Sequence, residues 1–290
     1  MRKKVRIGDL LVGDGEPCMI IAEIGINHNG SLEIAWRLID EAVDAGCNAV
    51  KFQKRTVEVV YSPDELARPR ESPFGTTNGD LKRALEFGQR EYEGIDRYCK
   101  AKKIMWSASC WDSGSVEFVE RFDPPFYKIA SACLTDHDLL RRHRVTGRPI
   151  VLSTGMSTMD QIRHAVDVLG GTDALVILHC TSTYPSRPEE LNLRMIQSLR
   201  EEFDCPIGYS GHEVGLATTV AAVMVGACMV ERHITLDRSL WGSDQAASVE
   251  CQGFKRLVRD IRVCELAMGD GIKKVYDSEL PIMAKLRRVG

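Results

Sequence analysis

The chain has 290 residues, of which 44% are hydrophobic and 27% are charged, and its formal net charge is −3. These values are ordinary for a globular protein, and the slight negative charge argues against a nucleic-acid surface. No apolar run reaches the roughly 18–20 residues that span a bilayer, and the charged N-terminus lacks a secretory signal core. We therefore predict a cytoplasmic protein that has neither a membrane nor a nucleic acid as its partner.

Short, apolar, β-rich segments recur along the chain, and amphipathic helical segments separate them. The predicted strands are, in chain order, CMIIAEIGI (18–26), NAVKFQ (48–53), IMWSAS (104–109), PFYKIAS (125–131), PIVLSTG (149–155), ALVILHC (174–180), PIGYSG (206–211) and CMVERHIT (228–235). Each begins apolar on both faces, which is typical of parallel strands buried on both sides. The helical segments carry caps: the segment 31–46, for example, begins with Ser31 and ends with Gly46.

Eight strand–helix units within roughly 250 residues predict an α/β fold of the (β/α)8 type, a TIM barrel, as a single domain over residues 18–270. We assign residues 1–17 to an N-terminal extension and residues 271–290 to a C-terminal tail. A doubly wound open sheet is the alternative, but the sequence contains neither a G-x-G-x-x-G fingerprint nor a P-loop. The long connection from Lys54 to about Leu85 is a candidate active-site loop.

Polar side chains follow the predicted strands, at the end where a (β/α)8 barrel has its active site. They are Glu23, Asn27, His28, Asn29, Lys51, Gln53, Ser107, Ser109, Lys128, Ser131, Ser153, Thr154, His179, Thr181, Ser182, Tyr184, Tyr209, Ser210, His212, Glu231, Arg232, His233 and, in the next loop, Asp244. Any one of them has an ordinary structural explanation, but the set does not. Lys51 and Lys128 lie within apolar strands, where an unpaired ammonium costs several kcal/mol. A phosphate or carboxylate that also binds the neighbouring serines would offset this cost, so we predict an anion site.

His212 and His233 end adjacent predicted strands, and a nearly wholly apolar segment separates them. Two imidazoles with water and a carboxylate, such as Glu23 or Asp244, would form a nitrogen and oxygen site suited to Mn²⁺ or Mg²⁺. On spacing alone, two hydrogen-bonded core histidines are an equally good interpretation.

The remaining histidines and the ten cysteines carry no comparable pattern. We expect His137, His143 and His164, which lie in helical or loop segments, to be solvated. The cysteines are scattered, with no C-x-x-C pair, and most of them lie in apolar segments, as Cys180 does. We interpret them as reduced thiols that pack as small hydrophobic groups.

Seven of the segments that end in these polar residues together resemble the sialic acid synthases. These enzymes condense phosphoenolpyruvate with N-acetylmannosamine or related sugars. The matching segments are IAEIGINHNG, AVKFQ, YKIAS, LSTGM, HCTSTYP, GYSGHE and ERHIT, and they follow the family's order from about residue 18 to 250. Such a set of long motifs is far more specific than a lone glycine fingerprint. The resemblance implies a transferase that produces a nine-carbon, sialic-type 2-keto acid and releases phosphate by C–O cleavage.

The resemblance also implies roles at the matching positions. His212 and His233 would bind a divalent metal, Mn²⁺ in the first place, with Mg²⁺ and Co²⁺ as alternatives. The residues that would hold phosphoenolpyruvate are Lys51, Lys128, Ser131, Ser153, Ser182 and Ser210. The residues that would hold the sugar are Gln53, Asn78, Tyr184 and Asp244. The catalytic candidates, which would transfer protons or act near the reacting atoms, are Glu23, Glu231 and Asp244.

Three features depart from the family's pattern. Family members usually continue into a small antifreeze-like domain that reaches into the neighbouring subunit, and this chain ends before it. We therefore expect either a separate antifreeze-like protein as a partner or substrate binding without that domain, and by analogy a homodimer. In GSDQ (242–245), Gln245 stands where the family often has histidine. Near the end of the third strand, Ala108 replaces a hydroxyl donor and Trp111 adds bulk, so the acceptor sugar need not be N-acetylmannosamine.

Two alternative functions remain open on the sequence. A phosphoenolpyruvate-dependent synthase of the ulosonate phosphate type would need basic residues for the phosphate of its acceptor sugar. Arg55, Arg68 and Arg70 in the long connection are candidates for that role. A non-catalytic barrel that partners a separate chain is the other alternative, but it leaves the complete set of candidate ligands unexplained.

Overall fold

In the computed structural model, which describes residues 3–289, eight parallel strands close into a barrel. They are β1 (Met19–Gly25), β2 (Ala49–Lys54), β3 (Met105–Cys110), β4 (Tyr127–Ile129), β5 (Ile150–Ser153), β6 (Leu175–Cys180), β7 (Ile207–Gly211) and β8 (Met229–Thr235). Each strand pairs with the next, and β8 closes the barrel by pairing with β1, where Glu231 lies opposite Ile21 and His233 opposite Glu23. The predicted (β/α)8 fold is confirmed.

A helix follows each strand and covers the outside of the barrel. The helices are α1 (Leu32–Ala45), α2 (Gln89–Lys102), α3 (Ser113–Glu120), α4 (His137–Arg144), α5 (Met159–Val168), α6 (Met195–Glu202), α7 (Ala217–Met224) and α8 (Cys251–Met268). Local sequence determines their ends: the Ser31 hydroxyl accepts the N–H of Ile34, and α1 ends at Gly46, whose φ of 83° suits glycine. Within residues 3–289, no helix is long and apolar enough to cross a membrane.

Shorter elements cover the two ends of the barrel. The antiparallel strands Val5–Ile7 and Leu10–Val12 pack against the interior residues at the amino-terminal end. The β2–α2 connection contains the helices Val57–Val60, Pro63–Ala67 and Asn78–Ala84 and a hairpin of the strands Pro69–Ser72 and Gly75–Thr77. The remaining elements are the strand Val249–Glu250, the 3-10 turns Ser131–Cys133, Pro188–Glu190, Gln245–Ala247 and Asp277–Glu279, and the helix Leu280–Leu286 in the tail.

Alternation along each strand sorts the side chains into an inner and an outer layer. In β1, Met19 and Ile21 belong to the cluster inside the barrel, whereas Ile20 and Ala22 pack outward against the helices. Since successive side chains point to opposite faces, Glu23 is the next inward residue. The same alternation turns these polar side chains inward at the carboxyl ends of the strands: Lys51, Gln53, Ser109, Lys128, Ser153, Cys180, Ser210, Glu231 and His233. The barrel interior is therefore apolar at one end and polar at the other.

Strand alternation corrects two expectations about the site. His179 does not face the barrel mouth, because it lies between the inward residues Leu178 and Cys180. Its ring points outward, and its Nε2 donates to the carbonyl of Leu191 at 2.7 Å. Ala108 also faces outward and is fully buried in the outer core, so it does not replace a hydroxyl donor inside the barrel.

The three helical histidines differ in their surroundings, and the expectation that all are solvated is wrong for His143. Its ring is fully buried, and its Nδ1 donates to the carbonyl of Leu139, one turn earlier in α4, at 2.9 Å. Burial lowers the pKa of His143 to about 4, so it is neutral at pH 7. His164 is exposed, and the ring of His137 lies 4.5 Å from it.

Arg232 also lies outside the barrel mouth, in a buried polar network. Its Nη1 donates to Glu213 Oε1 at 3.0 Å and its Nη2 donates to the Glu213 carbonyl at 2.5 Å, and both side chains are 1% exposed. The hydroxyl of Tyr209 donates to Glu213 Oε2 at 2.9 Å. Since Glu213 directly follows His212, this pair fixes the turn that carries His212.

Replacing Arg232 with methionine should lower the free energy of unfolding by about 3–5 kcal/mol, because Glu213 would be left as a buried carboxylate without its cation. Urea unfolding followed by circular dichroism measures this loss. The double variant Arg232→Met/Glu213→Gln is the control, and it should lose less than the single variant because it buries no uncompensated charge. A loss below about 1 kcal/mol in the single variant would contradict the ion pair.

Candidate active site

A cavity of about 240 Å³ opens at the carboxyl ends of the barrel strands. Of the residues that were assigned a catalytic, substrate-binding or metal-binding role, all except Asn78 and Asp244 line this cavity. They are Glu23, Lys51, Gln53, Lys128, Ser131, Ser153, Ser182, Tyr184, Ser210, His212, Glu231 and His233. The fold thus brings these side chains together, while their individual roles stay predictions.

Asn78 and Asp244 lie in loops outside the cavity wall. Asn78 begins the helix Asn78–Ala84, and its Nδ2 donates to the carbonyl of Glu65 at 3.2 Å, within the β2–α2 connection. Asp244 lies in the loop after β8, with its Oδ2 3.9 Å from Nδ1 of His233. Asp244 is therefore beside the histidines, whereas the amide of Asn78 is used to hold its own loop.

Two lysines and two glutamates form a buried charge cluster in the cavity. Nζ of Lys51 lies 2.7 Å from Glu23 Oε2 and 3.9 Å from Glu231 Oε2, and Nζ of Lys128 lies 3.5 Å from Glu231 Oε1. None of the four side chains is more than 6% exposed. Each lysine has a carboxylate partner, so the expectation that the two ammonium groups are unpaired is wrong. The prediction of an anion site must rest on other observations.

The two carboxyl groups of this cluster titrate differently. Burial raises the pKa of Glu23 to about 7, against the opposing charge of Lys51. Burial acts in the same direction on Glu231, but the charges of Lys128 and Lys51 outweigh it and hold the pKa of Glu231 at about 2. Glu231 is therefore ionised at neutral pH, whereas Glu23 can take up and release a proton there. Two neighbouring carboxyl groups whose pKa values differ in this way are typical of sites that carry out acid–base chemistry.

Serine hydroxyls from neighbouring strands line the same cavity. Ser210 Oγ donates to Glu231 Oε1 at 3.2 Å, and Ser131 Oγ accepts the N–H of Gly155 at 3.0 Å. Ser153 Oγ is buried and has no hydrogen-bond partner within residues 3–289. A buried hydroxyl without a partner is rare in proteins. A bound anion that accepts this hydroxyl would satisfy it, which supports the predicted anion site.

His212 and His233 face each other across the cavity, with ring centroids 5.6 Å apart and the ring of Tyr184 4.0 Å from His212. Nδ1 of His212 donates to the carbonyl of Thr181 at 2.8 Å, so its Nε2 carries the free lone pair. Burial lowers the pKa of His233 to about 4, and its Nδ1 has no hydrogen-bond partner in the described part of the chain.

The two imidazoles fit a divalent metal. Neutral imidazole is the form that binds metals, and a carbonyl on the far nitrogen, as on His212, is a usual outer partner. Among residues 3–289, no three histidine, cysteine, aspartate or glutamate side chains form a metal-binding group. A divalent ion held by two imidazoles would have further coordination positions for water or substrate oxygen atoms, as catalytic metal sites do.

Six further residues belong to the cavity wall. Ser109 and Trp111 were named near the site from the sequence without a role, whereas Ala130, Ala132, Met156 and Cys180 were not expected there. Cys180 is not simply a packing group, because its Sγ lies 3.8 Å from Nδ1 of His212. Burial alone would raise the pKa of Cys180, but its surroundings, first among them the hydrogen bond with His212, outweigh burial and lower that pKa. Strand alternation could have identified Cys180, two residues after the inward Leu178, whereas Met156 lies in a loop and carries no such signal.

Similarity to known proteins determines the family. The profile of the NeuB family matches residues 38–273. The chain is also 41% identical to N-acetylneuraminate-9-phosphate synthase of Homo sapiens over 279 residues, which cover 95% of this chain and 78% of that protein. The chain belongs to the NeuB family.

Two further similarities agree with this NeuB assignment. N,N′-diacetyllegionaminic acid synthase of Legionella pneumophila is 35% identical over 285 residues, with 95% of this chain and 80% of that protein covered. The crystal structure of N-acetylneuraminic acid synthetase from Leptospira borgpetersenii matches with a TM-score of 0.86 at 30% identity, covering 100% of this chain and 99% of that chain. The resemblance to sialic acid synthases is confirmed. NeuB-family synthases condense phosphoenolpyruvate with sugars, and they generally depend on a metal ion.

In the metal-free protein, Glu23 should make folding less favourable as the pH rises from 4.5 to about 7. Its pKa is raised on folding, so the native state binds more protons than the unfolded chain in this range. Relative to Glu23→Gln, the wild type should lose up to about 3 kcal/mol of unfolding free energy across the range. Urea unfolding of chelator-treated protein at several pH values measures this difference, and a difference independent of pH would contradict the raised pKa.

Proposed function

We propose that the chain condenses phosphoenolpyruvate with the aldehyde of an open-chain N-acyl hexosamine, giving a nonulosonic 2-keto acid and phosphate. The observation that carries the proposal is the layout of one cavity. Two buried lysines and the partner-less hydroxyl of Ser153 lie there together with the histidine pair. The names of the human and Legionella relatives, both synthases of nonulosonic acids, support the same product class.

We assign phosphoenolpyruvate to the lysine and serine side of the cavity. Its phosphate and carboxylate need several charged or hydroxyl donors, and such donors are concentrated here. When Glu23 is protonated, Lys51 and Lys128 face one ionised carboxylate, that of Glu231, so the cluster has a net positive charge. An anionic substrate would thus bind together with a proton on Glu23. The hydroxyls that complete this subsite are those of Ser131, Ser153, Ser182 and Ser210.

We assign the sugar and the metal to the histidine side. Gln53 and Tyr184 line the cavity and would bind the sugar hydroxyls, with Asp244 beside them. Asn78 is left out of this assignment, because its amide donates to the carbonyl of Glu65 within the β2–α2 connection. His212 and His233 would hold the divalent ion, which we assign as Mn²⁺. Bound there, the ion would supply Lewis-acid polarisation of the aldehyde oxygen.

The charge cluster can supply the proton transfers of this reaction. Carbon 3 of phosphoenolpyruvate attacks the aldehyde carbon, and protonated Glu23 gives its proton to the aldehyde oxygen. The positive charge that develops at carbon 2 is stabilised by the fixed carboxylate of Glu231. Water adds to carbon 2 and loses a proton to Glu23, which is thereby restored. The tetrahedral intermediate then expels phosphate by C–O cleavage, and the proton of its new hydroxyl leaves with the phosphate.

A phosphorylated acceptor is the second candidate, because the human relative is named for a 9-phosphate product. Three carbons of the product come from phosphoenolpyruvate, so carbon 9 corresponds to carbon 6 of the hexosamine. The geometry gives this candidate less support. Arg55 is buried, donates to Gln53 and Tyr61 and does not line the cavity. Arg68 and Arg70 are exposed in the β2–α2 connection, also outside the cavity wall.

A non-catalytic barrel is disfavoured, because every residue of the charge cluster and both histidines are present and converge on one cavity. A homodimer, a separate antifreeze-like partner and a cytoplasmic location stay predictions.

With Mn²⁺, phosphoenolpyruvate and N-acetylmannosamine, the purified protein should release inorganic phosphate. Phosphoenolpyruvate labelled with ¹⁸O at the bridging oxygen should give labelled phosphate, because the C–O bond breaks, and mass spectrometry measures the label. A parallel reaction with N-acetylmannosamine 6-phosphate separates the two candidates. Activity on that sugar alone would favour the phosphorylated acceptor, and no phosphate release with any sugar would contradict both.

Chelation should abolish this activity, and added Mn²⁺ should restore it. The His212→Ala variant should bind Mn²⁺ at least about 100-fold more weakly than the wild type, because it loses an imidazole ligand. Electron paramagnetic resonance of free Mn²⁺ measures the affinity without relying on turnover. His164→Ala, which changes an exposed histidine of α5, is the matched control and should bind as the wild type does. Equal affinity of His212→Ala and the wild type would rule out the proposed metal site.

A further inference from the structure

We propose that Asn27, Asn29 and Gln245 are positioning residues, which hold the loop after β8 in place and thereby fix Asp244 for the acceptor sugar. The inference rests on the proposed function, because that function gives Asp244 a sugar to bind. Asn27 and Asn29 lie in the turn after β1, at the active-site end of the barrel. None of the three proposed positioning residues belongs to the wall of the active-site cavity. They can therefore affect the reaction only through another residue.

The two asparagines of this turn hold the loop after β8 at two points. Nδ2 of Asn29 donates to the carbonyl of Trp241 at 2.9 Å, three residues before Asp244. Nδ2 of Asn27 donates to Ser248 Oγ at 2.8 Å, and that hydroxyl donates to the carbonyl of Asp244 at 2.7 Å. The loop is thus attached to the β1–α1 turn on both sides of Asp244.

Gln245 joins the same loop to two other elements. It directly follows Asp244, and its side chain is fully buried. Its Nε2 donates to the carbonyl of Asn27 at 3.3 Å, and its Oε1 accepts the hydroxyl of Thr235 at the end of β8. At Gly242, φ is 142° and a Cβ would lie 3.1 Å from Gln245 Cγ, so a glycine there lets the loop pack closely on this side chain.

The turn that carries the asparagines is itself well anchored. The ring of His28 stacks on Phe87 with centroids 3.8 Å apart, and its Nδ1 accepts the N–H of Gly30 at 3.1 Å. Burial lowers the pKa of His28 to about 3, so the imidazole is neutral at pH 7 and keeps this acceptor. Asn29 has a φ of 49°, a left-handed conformation that asparagine adopts more readily than most residues. The β1–α1 turn can therefore support the loop.

The carboxylate of Asp244 depends on this support for its position. Its Oδ2 lies 3.9 Å from Nδ1 of His233, which is too far for a hydrogen bond. Its Oδ1 accepts the hydroxyl of Ser243 at 2.7 Å, but Ser243 belongs to the same loop and would move with it. The amides of the three positioning residues thus fix the loop relative to the barrel. A displacement of about 1 Å in an active site can cost about 100-fold in rate.

The first test removes the amide of Gln245. Gln245→Met keeps the length of the side chain but lacks the amide, so it should raise the KM for N-acetylmannosamine at least about tenfold. The KM for phosphoenolpyruvate should change by less than about twofold, because the lysines and serines assigned to it lie on other elements. Gln245→His keeps one donor and one acceptor when neutral, so it should restore the sugar KM to within about threefold of the wild type. Gln197→Met, at an exposed position in α6, is the matched control.

A double-mutant cycle distinguishes positioning from a merely structural role. Asp244→Ala should raise the KM for N-acetylmannosamine at least about tenfold, because it removes a proposed sugar ligand. If Gln245 acts through Asp244, the Asp244→Ala/Gln245→Met variant should be no worse than Asp244→Ala alone. Two independent effects would multiply instead, and that result would contradict the inference.

Hydrogen–deuterium exchange gives a readout that does not require turnover. The backbone amides of residues 241–248 should exchange at least about tenfold faster in Gln245→Met than in the wild type, because the loop opens more easily. Asn29→Gly tests the other attachment, since glycine keeps the positive φ without the amide. It should accelerate exchange of the same residues and raise the sugar KM at least about threefold. Thermal unfolding checks that each variant folds, and Asn29→Gly carries the test if Gln245→Met does not.

Unchanged sugar KM in both Gln245→Met and Asn29→Gly would overturn the inference, and so would unchanged exchange of residues 241–248. A rise in the KM for phosphoenolpyruvate alone would overturn it as well, because the loop would then serve the other half of the cavity. Failure of the proposed function is distinct, because the wild type would then release no phosphate with any acylated hexosamine. The exchange measurement would in that case still show whether these amides hold the loop.

Discussion

The charge cluster of Lys51, Lys128, Glu23 and Glu231 is the constraint on which the rest of the site depends. Four ionisable groups with at most 6% of their side chains exposed would be costly if any of them lacked its partners. Barrel closure supplies those partners, because β8 pairs with β1 and Lys51 lies opposite Glu23 on β2. The cluster therefore forms only when the strands are in register, which links the fold to the site.

The same cluster explains how one cavity can both bind an anion and move protons. The charges of Lys128 and Lys51 keep Glu231 ionised. At Glu23 burial dominates and raises the pKa to about 7. The protein thus keeps one fixed negative charge and one carboxyl group that can change its protonation state at neutral pH. Tyr184 and Trp111, which lie in the loops after β6 and β3, belong to the wall of the same cavity.

The sequence predicted the barrel and most of the cavity wall, because both follow from local patterns. Short apolar strands alternate with capped helices, and the active-site end of each strand is known once the strands are known. Ser153 and Ser210, for example, were found simply as polar residues at strand ends. The errors arose where the prediction depends on which residues of a strand point into the barrel and which point outward. His179 and Ala108 were placed at the site although each lies one residue out of phase, and Cys180 was missed for the same reason.

Other features depend on tertiary contacts that no local pattern contains. The pairing of Lys51 with Glu23 joins two strands, and that of Lys128 with Glu231 spans the barrel interior, so both lysines looked unpaired in the sequence. The use of the Asn78 amide within its own loop arises from the fold of the β2–α2 connection. Strand alternation, applied residue by residue, would have placed His179, Ala108 and Cys180 correctly. It gives no information about these tertiary contacts.

The most direct measurement is the binding of phosphoenolpyruvate by isothermal titration calorimetry at pH 8, repeated in buffers of different ionisation enthalpy. At this pH Glu23 is mostly ionised in the free protein, and the anion should bind together with a proton. The wild type should therefore bind phosphoenolpyruvate with proton uptake, and Glu23→Gln should bind it without. Binding by the wild type that involves no proton, or no binding at all, would contradict the account of the cavity as a phosphoenolpyruvate site built on this charge cluster.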